Sequence, residues 1–315
     1  MSEIGIFLSS EEHGPNELVR YAQLAEQAGF SSALMSDHFH PWTDRQGESP
    51  FVWSVIGAIG ATTGLLVTTG VTCPTVRIHP AIVAHASATA ALMCKGGFRL
   101  GVGTGENLNE HILGDRWPPA DERMAMLEEA VDIMRKLWAG GVVSHDGEHY
   151  VVDNARLYTL PDQPPPVVVS GFGPKAVSMA ARIGDGFVNT APSSDFLEQY
   201  TGEGGKGPKI AAAKVCWGAD EATAKKLAFE LWPTTGIPGE LNQELPMPAH
   251  FEQASQLVTQ DMVTESIACG PDPEVHLEQL RTYIDAGYDE IYISQVGDEQ
   301  QGFLDFYSRE VLPRV

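Results

Sequence analysis

Eight short runs of apolar and β-branched residues recur along this chain with helical patterns between them, and this alternation constrains the fold more than any other feature of the sequence. Most of the runs are continuously apolar, which is typical of strands that are covered on both faces. Strict alternation of eight strands with helices predicts a single (β/α)8 barrel over residues 1–315, with a doubly wound parallel sheet as the alternative. The predicted strands are 4–8, 33–36, 65–71, 99–102, 167–170, 186–190, 213–217 and 290–294.

The segments between the runs carry helix signals. In 121–138 the apolar residues recur at spacings of three and four, which forms one stripe along a helix. Segment 17–29 ends on a glycine, and segment 271–287 begins at a proline and ends on a glycine, as helices commonly do. Residues 50–76 carry no charge and are long enough to cross a bilayer, but their glycines and threonines favour a helix over 51–63 followed by a buried strand.

Three segments depart from the simple alternation. Residues 142–144 and 149–152 flank Asp146-Gly147 and predict a hairpin outside the barrel, within an insertion at 140–152. Residues 232–262 contain four prolines and form a long insertion before the last strand, and 201–208 contain four glycines and predict a mobile loop. Insertions after strands enlarge the face where barrels keep their active sites, so the 232–262 insertion is expected to shape the substrate pocket.

Composition excludes several partners and compartments. Forty-two acidic and twenty basic residues give a net charge of −22, which repels phosphate backbones and anionic membranes, so neither nucleic acid nor a lipid surface is an expected partner. The four cysteines include no Cys-x-x-Cys pair, which argues against a zinc knuckle or a redox dithiol and suits a reducing cytoplasm. The first residues, MSEIGIFLSSEE, lack the basic region of a signal peptide. We therefore expect a cytoplasmic protein that acts on a small molecule.

Polar residues that follow the strands are the functional candidates, because (β/α)8 barrels place their active sites at the carboxyl ends of the strands. His38 follows the second predicted strand beside Asp37 and near Trp42, and an imidazole can exchange a proton at neutral pH. The alternative is a histidine that bonds a loop carbonyl. His38 and His40 could also chelate a metal, but the later strand ends offer glycine, asparagine and threonine, so no metal is expected.

Two glycine-rich segments follow later strands. Residues 101–106 carry three glycines and then Glu106, at the position where a dinucleotide fingerprint needs a further glycine. This pattern favours a strand end on which a flat ring lies against the backbone with Glu106 aimed into the pocket, or else a plain tight turn. Residues 171–176 predict a glycine loop that leads into a helix N-terminus, which suits a phosphate, although Pro174 is also an ordinary residue at a helix start.

Together these motifs resemble the luciferase-like superfamily of flavin and deazaflavin enzymes, and within it the branch of dehydrogenases that depend on coenzyme F420. The most specific matches are Ser-Asp-His-Phe-His-Pro-Trp at 36–42 and Gly-Thr-Gly-Glu-Asn-Leu-Asn at 103–109. The matching elements run in order through the first 190 residues, and the closing segment 287–314 is similar as well, whereas 193–264 matches poorly. The other matches are Glu11, Thr72-Cys73-Pro74, Arg77-x-x-Pro80-Ala81, Trp138, Gly173-Pro174 and Gly184-Asp-Gly-Phe187.

The resemblance implies a barrel that holds F420 at its C-terminal face and transfers a hydride from an alcohol to ring carbon C5. His38 would be the general base for the substrate hydroxyl and Glu106 would protonate ring nitrogen N1, so that the two side chains face each other across the ring. Trp42 would pack on the reacting centre, and Glu11 would position the substrate or share a proton. The residues that the resemblance places against the cofactor are Asp37, Cys73, Thr104, Gly105, Asn109, Phe172, Gly173, Lys175 and Ala176.

The resemblance also limits the substrate. The sugar-phosphate enzymes of this branch hold the phosphate with lysines, whereas the matching positions here are Ser193 and Thr264. A phosphate dianion without charged partners binds poorly, so we predict that glucose 6-phosphate is not the substrate, unless Lys206 and Lys209 on the glycine-rich loop replace those lysines. Thr190 and Ser193 are expected to line the substrate site.

Other activities of the same fold remain as alternatives to an F420-dependent alcohol dehydrogenase. They are an FMN-dependent monooxygenase, a reductase that uses reduced F420, and a barrel that binds a flavin-like molecule without turnover. FMN is accordingly the alternative cofactor. The resemblance also implies a homodimer.

Overall fold

The computed structural model describes residues 2–315 and consists of strands and helices that alternate along the chain. The strands are β1 (Glu3–Leu8), β2 (Ser32–Met35), β3 (Leu66–Thr69), β4 (Phe98–Val102), β5 (Val143–Asp146), β6 (Val151–Ala155), β7 (Val167–Ser170), β8 (Gly186–Asn189), β9 (Lys209–Cys216), β10 (Ala268–Cys269) and β11 (Glu290–Gln295). The helices are α1 (Pro15–Gln27), α2 (Val52–Thr62), α3 (Pro80–Met93), α4 (Asn107–Glu110), α5 (Ala120–Trp138), α6 (Pro174–Ile183), α7 (Ser194–Gly202), α8 (Glu221–Leu231), α9 (Leu241–Glu244), α10 (Pro248–Ser255), α11 (Gln260–Thr264), α12 (Pro273–Ala286) and α13 (Gln300–Phe306).

Eight parallel strands close into a barrel. Their order around it is β1, β2, β3, β4, β7, β8, β9 and β11, and β11 returns to β1 through pairs such as Glu3 with Glu290. The pairing of β8 with β9, which includes Phe187 with Lys209, completes the ring. Because every one of these strands has a neighbour on both sides, the predicted (β/α)8 barrel is confirmed and the alternative of an open, doubly wound sheet is wrong.

All eight predicted barrel strands are present, and most of their bounds agree to within one or two residues. The largest difference is at β9, which was predicted to begin at residue 213 and begins at Lys209. Its first part, Ile-Ala-Ala-Ala, carries little of the β-branched signal by which strands are recognised. It is a strand because both of its edges pair with neighbours, β8 on one side and β11 on the other.

The interior of the barrel is filled by one side chain from each of several strands. This interior cluster consists of Leu34, Val168, Val188, Ile210 and Tyr292, with Phe7 and Ala212 packed against it. The opposite faces of the strands pack against the helices, so the strands are apolar on both sides, as their continuous runs indicated. Alternation along each strand therefore fixes which later side chains point into the barrel mouth.

The segments outside the barrel alternation also have regular structure. Strands β5 and β6 form an antiparallel hairpin, as predicted. The 232–262 insertion forms a short 3₁₀ turn and the helices α9, α10 and most of α11. Its buried apolar residues, among them Ile237 and Phe251, share a small core with Leu108. The 201–208 segment begins inside α7 and ends at the start of β9, so it is shorter as a loop than the sequence suggested.

No helix within residues 2–315 has both the length and the apolar character needed to cross a membrane. The uncharged run at 50–76 instead forms α2 and β3, as predicted, and both pack into the main core through residues such as Ile56 and Val67.

Candidate active site

The carboxyl ends of β1, β2 and β4 bring three ionisable side chains together at the mouth of the barrel. Glu11 follows β1, His38 follows β2 and Glu106 follows β4. Nδ1 of His38 lies 3.5 Å from Oε1 of Glu11, and Nε2 of His38 lies 3.9 Å from Oε2 of Glu106. The side chains of Glu11 and His38 are 3% and 9% exposed, and that of Glu106 is 30% exposed. The three groups therefore form a row that leads from a buried carboxylate to one that reaches solvent.

Serine hydroxyls fix the buried end of this row. Ser9 and Ser36 both donate hydrogen bonds to Oε2 of Glu11, at 2.8 and 2.7 Å. Ser36 is itself held by Ser10, whose backbone N–H donates to the Ser36 hydroxyl. Since two donors occupy Oε2, the other carboxylate oxygen, Oε1, is directed at His38.

The surroundings of His38 select one tautomer. Nδ1 lies between two acceptors, Oε1 of Glu11 at 3.5 Å and the backbone carbonyl of His40 at 3.3 Å. A nitrogen that faces only acceptors carries the proton. The other nitrogen, Nε2, has no acceptor within hydrogen-bond distance among residues 2–315, since Oε2 of Glu106 lies 3.9 Å away, so its lone pair is free, which is the arrangement that a general base requires.

The expected separation of His38 and Glu106 by a ring is wrong. A planar ring between two groups needs a gap of about 7 Å, twice the contact distance of about 3.5 Å. The observed gap between Nε2 and Oε2 is 3.9 Å. In this arrangement no planar ring fits between the two side chains.

Asn109 ties the Glu106 loop to the His38 loop. Its Oδ1 atom accepts hydrogen bonds from the backbone N–H groups of Phe39 and His40, at 2.9 and 3.2 Å. Its Nδ2 atom donates to Oε2 of Glu106 at 3.2 Å. Asn109 is buried and its amide makes these protein contacts, and its contact with the cofactor stays a prediction.

The carboxylate of Asp37 likewise points away from the mouth. It pairs with Nη2 of Arg77 at 3.0 Å and accepts a hydrogen bond from the Thr72 hydroxyl at 2.7 Å. The side chain of Asp37 has no exposed surface. The prediction that this residue contacts the cofactor is therefore wrong for its carboxylate, which instead anchors the loop that contains Arg77.

Trp42 connects the row to the 232–262 insertion. Its ring centroid lies 5.1 Å from that of His38 and 5.2 Å from that of Phe251, which is buried on α10. The sequence predicted that Trp42 would pack on the reacting centre, and the structure places it against the imidazole. The insertion thus holds the aromatic wall of the site, in keeping with its expected role in shaping the pocket.

His40 does not join His38 in a metal site. Its Nδ1 atom lies 2.8 Å from the backbone carbonyl of Leu108, and its ring stacks on that of His111 with centroids 5.9 Å apart. Across residues 2–315, no group of three or more histidine, cysteine or acidic side chains has the spacing of a metal site.

The loop after β4 offers a bare backbone surface next to these groups. Gly105 has a φ of +89°, and a Cβ there would lie 2.8 Å from Cγ of Glu110, so both conformation and space favour glycine at this position. Thr104 and Cys73 border the same loop, and Thr72 pairs with Val102 to hold the Cys73 segment beside it. Burial raises the pKa of the Cys73 thiol, which therefore stays protonated.

The loop after β7 forms a second, adjacent edge, because β7 pairs directly with β4. Gly173 is the N-cap residue directly before α6, and the space around the position of a Cβ on Gly173 is open. Lys175 and Ala176 lie in the first turn of α6, where N–H groups are free. The ammonium of Lys175 is exposed and pairs with Asp121 at 2.7 Å.

Two phenylalanine rings flank these loops with about half of their surface exposed. They are Phe39, at 50%, and Phe172, at 53%. Apolar rings that stand open beside bare glycine backbone fit a flat, partly apolar ligand. The described residues therefore suit the ring of a flavin or deazaflavin, with an anionic group at the start of α6.

The residues that were predicted at the substrate site make hydrogen bonds within the fold. The backbone carbonyl of Thr190 accepts a hydrogen bond from Tyr283, and its side chain is exposed. The Ser193 hydroxyl caps α7 by accepting a bond from the Phe196 N–H at 3.4 Å. Thr264 lies on α11 and donates to the Gln260 carbonyl.

Two further ionisable side chains lie at this mouth, Lys214, which sequence analysis missed, and Glu12, which follows the first strand and received no role from it. Glu12 accepts hydrogen bonds from the indole N–H of Trp232 and from the Gly297 N–H, both at 2.7 Å, and burial raises its pKa to about 7. Nζ of Lys214 lies 4.1 Å from the centroid of the Trp232 ring. Lys214 had a visible signal, since it is the one charged residue inside the run 210–217, whereas Glu12 is indistinguishable in sequence from a surface glutamate.

The barrel and the loops at its mouth are those of a luciferase-like enzyme. This chain is a member of the luciferase-like monooxygenase family, whose profile matches residues 1–290. Among curated proteins it is 36% identical over 323 residues to the F420-dependent hydroxymycolic acid dehydrogenase of Mycobacterium tuberculosis (strain ATCC 25618 / H37Rv), covering 99% of this chain and 88% of that protein. It is 34% identical over 326 residues to an F420-dependent glucose-6-phosphate dehydrogenase of Microbacterium testaceum (strain StLB037), covering 99% and 96%.

A solved structure extends the similarity to three dimensions. An F420-dependent secondary alcohol dehydrogenase in complex with an F420-acetone adduct superposes with a TM-score of 0.90 at 30% identity, covering 99% of this chain and 98% of the other. A coenzyme F420-dependent tetrahydromethanopterin reductase from Methanopyrus kandleri, at 19% identity and a TM-score of 0.79, shares the fold. The predicted family resemblance is therefore confirmed.

Proposed function

We propose that this protein is an F420-dependent oxidoreductase that transfers a hydride from the carbinol carbon of a hydroxyl-bearing small molecule to C5 of the deazaflavin. The names of its similar relatives support the cofactor and the reaction class. The single observation that carries the chemistry is the placement of His38, whose Nδ1 faces Glu11 and whose Nε2 is free on the side of Glu106.

The bound cofactor supplies one piece of chemistry, a ring carbon that accepts a hydride. The residues that would hold it are those of the two adjacent loops, after β4 and after β7. They are Cys73, Thr104, Gly105, Phe172, Gly173, Lys175 and Ala176.

His38 acts as the general base for the substrate hydroxyl. Its Nε2 atom takes the hydroxyl proton as the carbinol carbon loses its hydride. The His40 carbonyl accepts the Nδ1 proton, and the carboxylate of Glu11, 3.5 Å from Nδ1, stabilises the imidazolium that results. The serine donors on Oε2 keep that carboxylate in place. Trp42 and the other aromatic side chains around the mouth exclude water from the reacting atoms.

Glu106 moves the second proton, to or from ring nitrogen N1. It is the most exposed of the three groups, and Asn109 orients the oxygen that faces His38. Since Oε2 of Glu106 and Nε2 of His38 lie 3.9 Å apart, one proton path could serve both groups.

The substrate is not a sugar phosphate in this proposal. Ser193 and Thr264 offer no charge, and both hydroxyls bond to backbone groups of their own helices. Lys209 lies at the start of β9, the end of the barrel away from the mouth, where it pairs with Asp289. The proposal thus separates this protein from relatives that are named glucose-6-phosphate dehydrogenases. Steady-state turnover of glucose 6-phosphate with a micromolar KM would overturn it.

One experiment separates this function from its alternatives. F420 and FMN are titrated separately into the purified protein, and binding is followed by fluorescence quenching. Alcohols are then screened for loss of the F420 absorbance band. We expect F420 binding and alcohol-dependent loss of the band. Tight FMN binding without F420 binding would favour the monooxygenase alternative, and F420 binding without any alcohol-dependent reduction would favour a reductase that uses reduced F420.

We further propose that the protein is a homodimer and works in a reducing compartment, the cytoplasm. Helices α2 and α3 pack side by side, and several large apolar side chains on or beside them are exposed. These are Phe51, Ile82, Leu92 and Met93. An exposed apolar surface of this kind suits contact with a second copy of the chain.

All four cysteines are free and buried, which supports a compartment that does not form disulfides.

A further inference from the structure

Two polar side chains point into the barrel on neighbouring strands, one layer above the apolar interior cluster. Ala212 of β9 packs against that cluster and Tyr292 of β11 belongs to it, so the residues two positions later point the same way. Those residues are Lys214 and Ser294, and the register of β9 and β11 places them directly opposite each other. An ammonium and a hydroxyl therefore lie side by side at the floor of the barrel mouth.

Neither polar group has a conventional partner in the described part of the chain. Ser294 is 3% exposed, and its buried hydroxyl has no hydrogen-bond partner. Buried hydroxyls are normally bonded, because an unpaired one costs free energy. Nζ of Lys214 lies over the Trp232 ring at 4.1 Å, and no carboxylate of residues 2–315 lies within salt-bridge distance of it. The pair thus offers donors without acceptors.

The charges around the pair decide which acceptor suits it. Burial lowers the pKa of Lys214, and the nearby carboxylates of Glu11 and Glu12 oppose that shift. Glu106 adds a further carboxylate through His38, on the opposite side of the mouth. The positive charge of Lys214 is therefore already balanced by the carboxylates of Glu11 and Glu12, so binding an anionic ligand would make the site more negative. An uncharged oxygen fits this balance, since it accepts hydrogen bonds without adding charge.

The pair lies close to the base in the barrel, because β11 pairs with β1 and β1 pairs with β2, the strand that His38 follows. Glu11 connects the two, because it faces Nδ1 of His38 and also acts electrostatically on Lys214. A substrate whose hydroxyl reaches Nε2 of His38 can therefore place a second group near Lys214 and Ser294.

We propose that Lys214 and Ser294 form a substrate subsite that hydrogen-bonds a second, uncharged oxygen of the substrate, so that the preferred substrates are alcohols with a further hydroxyl or carbonyl oxygen. This inference rests on the proposed alcohol oxidation. A site built to bond an oxygen discriminates strongly against a ligand that lacks it, because its own donors are then left unpaired.

The test compares 2-butanol with 2,3-butanediol, which differ by one hydroxyl, and adds 3-hydroxybutanoate, which carries a carboxylate. The variants are Lys214→Met and Ser294→Ala, with Lys209→Met as the matched control, because it removes a positive charge from the same strand at the other end of the barrel. We expect each subsite variant to lower the ratio of kcat/KM for the diol to that for 2-butanol by about 10–100-fold. The control should not change this ratio.

Three outcomes would overturn the subsite. If the variants lose activity equally towards the diol and 2-butanol, Lys214 acts on catalysis through Glu11. If the wild type prefers 3-hydroxybutanoate, the subsite binds anions. If the wild type does not prefer the diol to 2-butanol, no subsite exists. Intrinsic tryptophan fluorescence, to which Trp232 contributes as one of six tryptophans, follows diol binding without turnover. If no alcohol reduces F420 but the diol binds more tightly than 2-butanol, and only with Lys214 present, then the proposed reaction fails and the subsite stands.

Discussion

Nδ1 of His38 lies 3.5 Å from Oε1 of Glu11, and both groups are almost fully buried. Ser9 and Ser36 donate hydrogen bonds to the other oxygen of Glu11 and so fix the carboxylate. The fixed carboxylate and the His40 carbonyl together orient the imidazole through Nδ1. A buried carboxylate behind an imidazole keeps the opposite nitrogen ready to accept a proton. The relationship assigns distinct tasks to the two residues, and each can be tested alone.

Replacing His38 with alanine removes the proposed base. We expect kcat to fall by about 10²–10⁴-fold, while the affinity for F420, measured by fluorescence quenching, stays unchanged. The control is His85→Ala, since His85 is exposed on α3 and should tolerate the change. A His38→Ala enzyme with the wild-type rate would show that this histidine is a structural residue that bonds its loop carbonyl.

Replacing Glu11 with glutamine keeps the shape of the side chain and removes its charge. The imidazolium that forms during turnover then loses its counter-charge, so we expect kcat to fall by about 10²-fold with little change in KM. Glu17→Gln is the control, because Glu17 is exposed on α1. If KM rises and kcat does not change, Glu11 binds the substrate and does not assist His38.

Much of the fold was predictable because strands that are covered on both faces leave continuous apolar runs. The exception was the start of β9, where alanines are recruited into a strand by pairing that no local pattern reports. The residues of the row were predictable for the same reason, since they directly follow three of these runs. Their distances were not, because the 3.9 Å gap between His38 and Glu106 depends on Asn109, which joins two loops seventy residues apart.

The side-chain tasks of Asp37 and Asn109 were beyond sequence analysis for a related reason. Motif position places both residues near a ligand, yet their polar atoms are taken up by Arg77, Thr72 and the backbone of the His38 loop. Whether a polar group near a pocket is free depends on partners that are distant in sequence. Lys214 is the converse case, a polar group near the same mouth whose partners are missing.

Glu12 makes stability depend on pH in a predictable direction. Burial raises its pKa from 4.5 to about 7, so the folded protein binds a proton more tightly than the unfolded chain does. The contribution to stability is present below about pH 4.5 and is lost as the pH rises towards 7. Glu110, with its pKa raised to about 7 by burial, contributes with the same sign.

The measurement for Glu12 is the free energy of unfolding of the wild type and of Glu12→Gln, by chemical denaturation at several pH values between 4 and 8. Glutamine cannot titrate, so the destabilisation caused by the substitution should be largest at low pH and shrink as the pH approaches 7. A pH-independent difference would show that Glu12 has the same proton affinity in both states. Glu48→Gln, at an exposed position, controls for the loss of a surface charge.

Ile82 tests the proposed homodimer. Its side chain is 60% exposed on α3, beside the exposed rings and methyl groups of Phe51 and Met93. A glutamate at this position would place a charge in the middle of an apolar interface, so Ile82→Glu should convert a particle of twice 34.0 kDa into one of 34.0 kDa by light scattering coupled to size-exclusion chromatography. The matched control is Val275→Glu, on the exposed side of α12, where the same charge should leave the mass unchanged. A wild-type protein that is already a monomer at micromolar concentration would refute the proposal, and a dimer that survives Ile82→Glu would place the interface on another face.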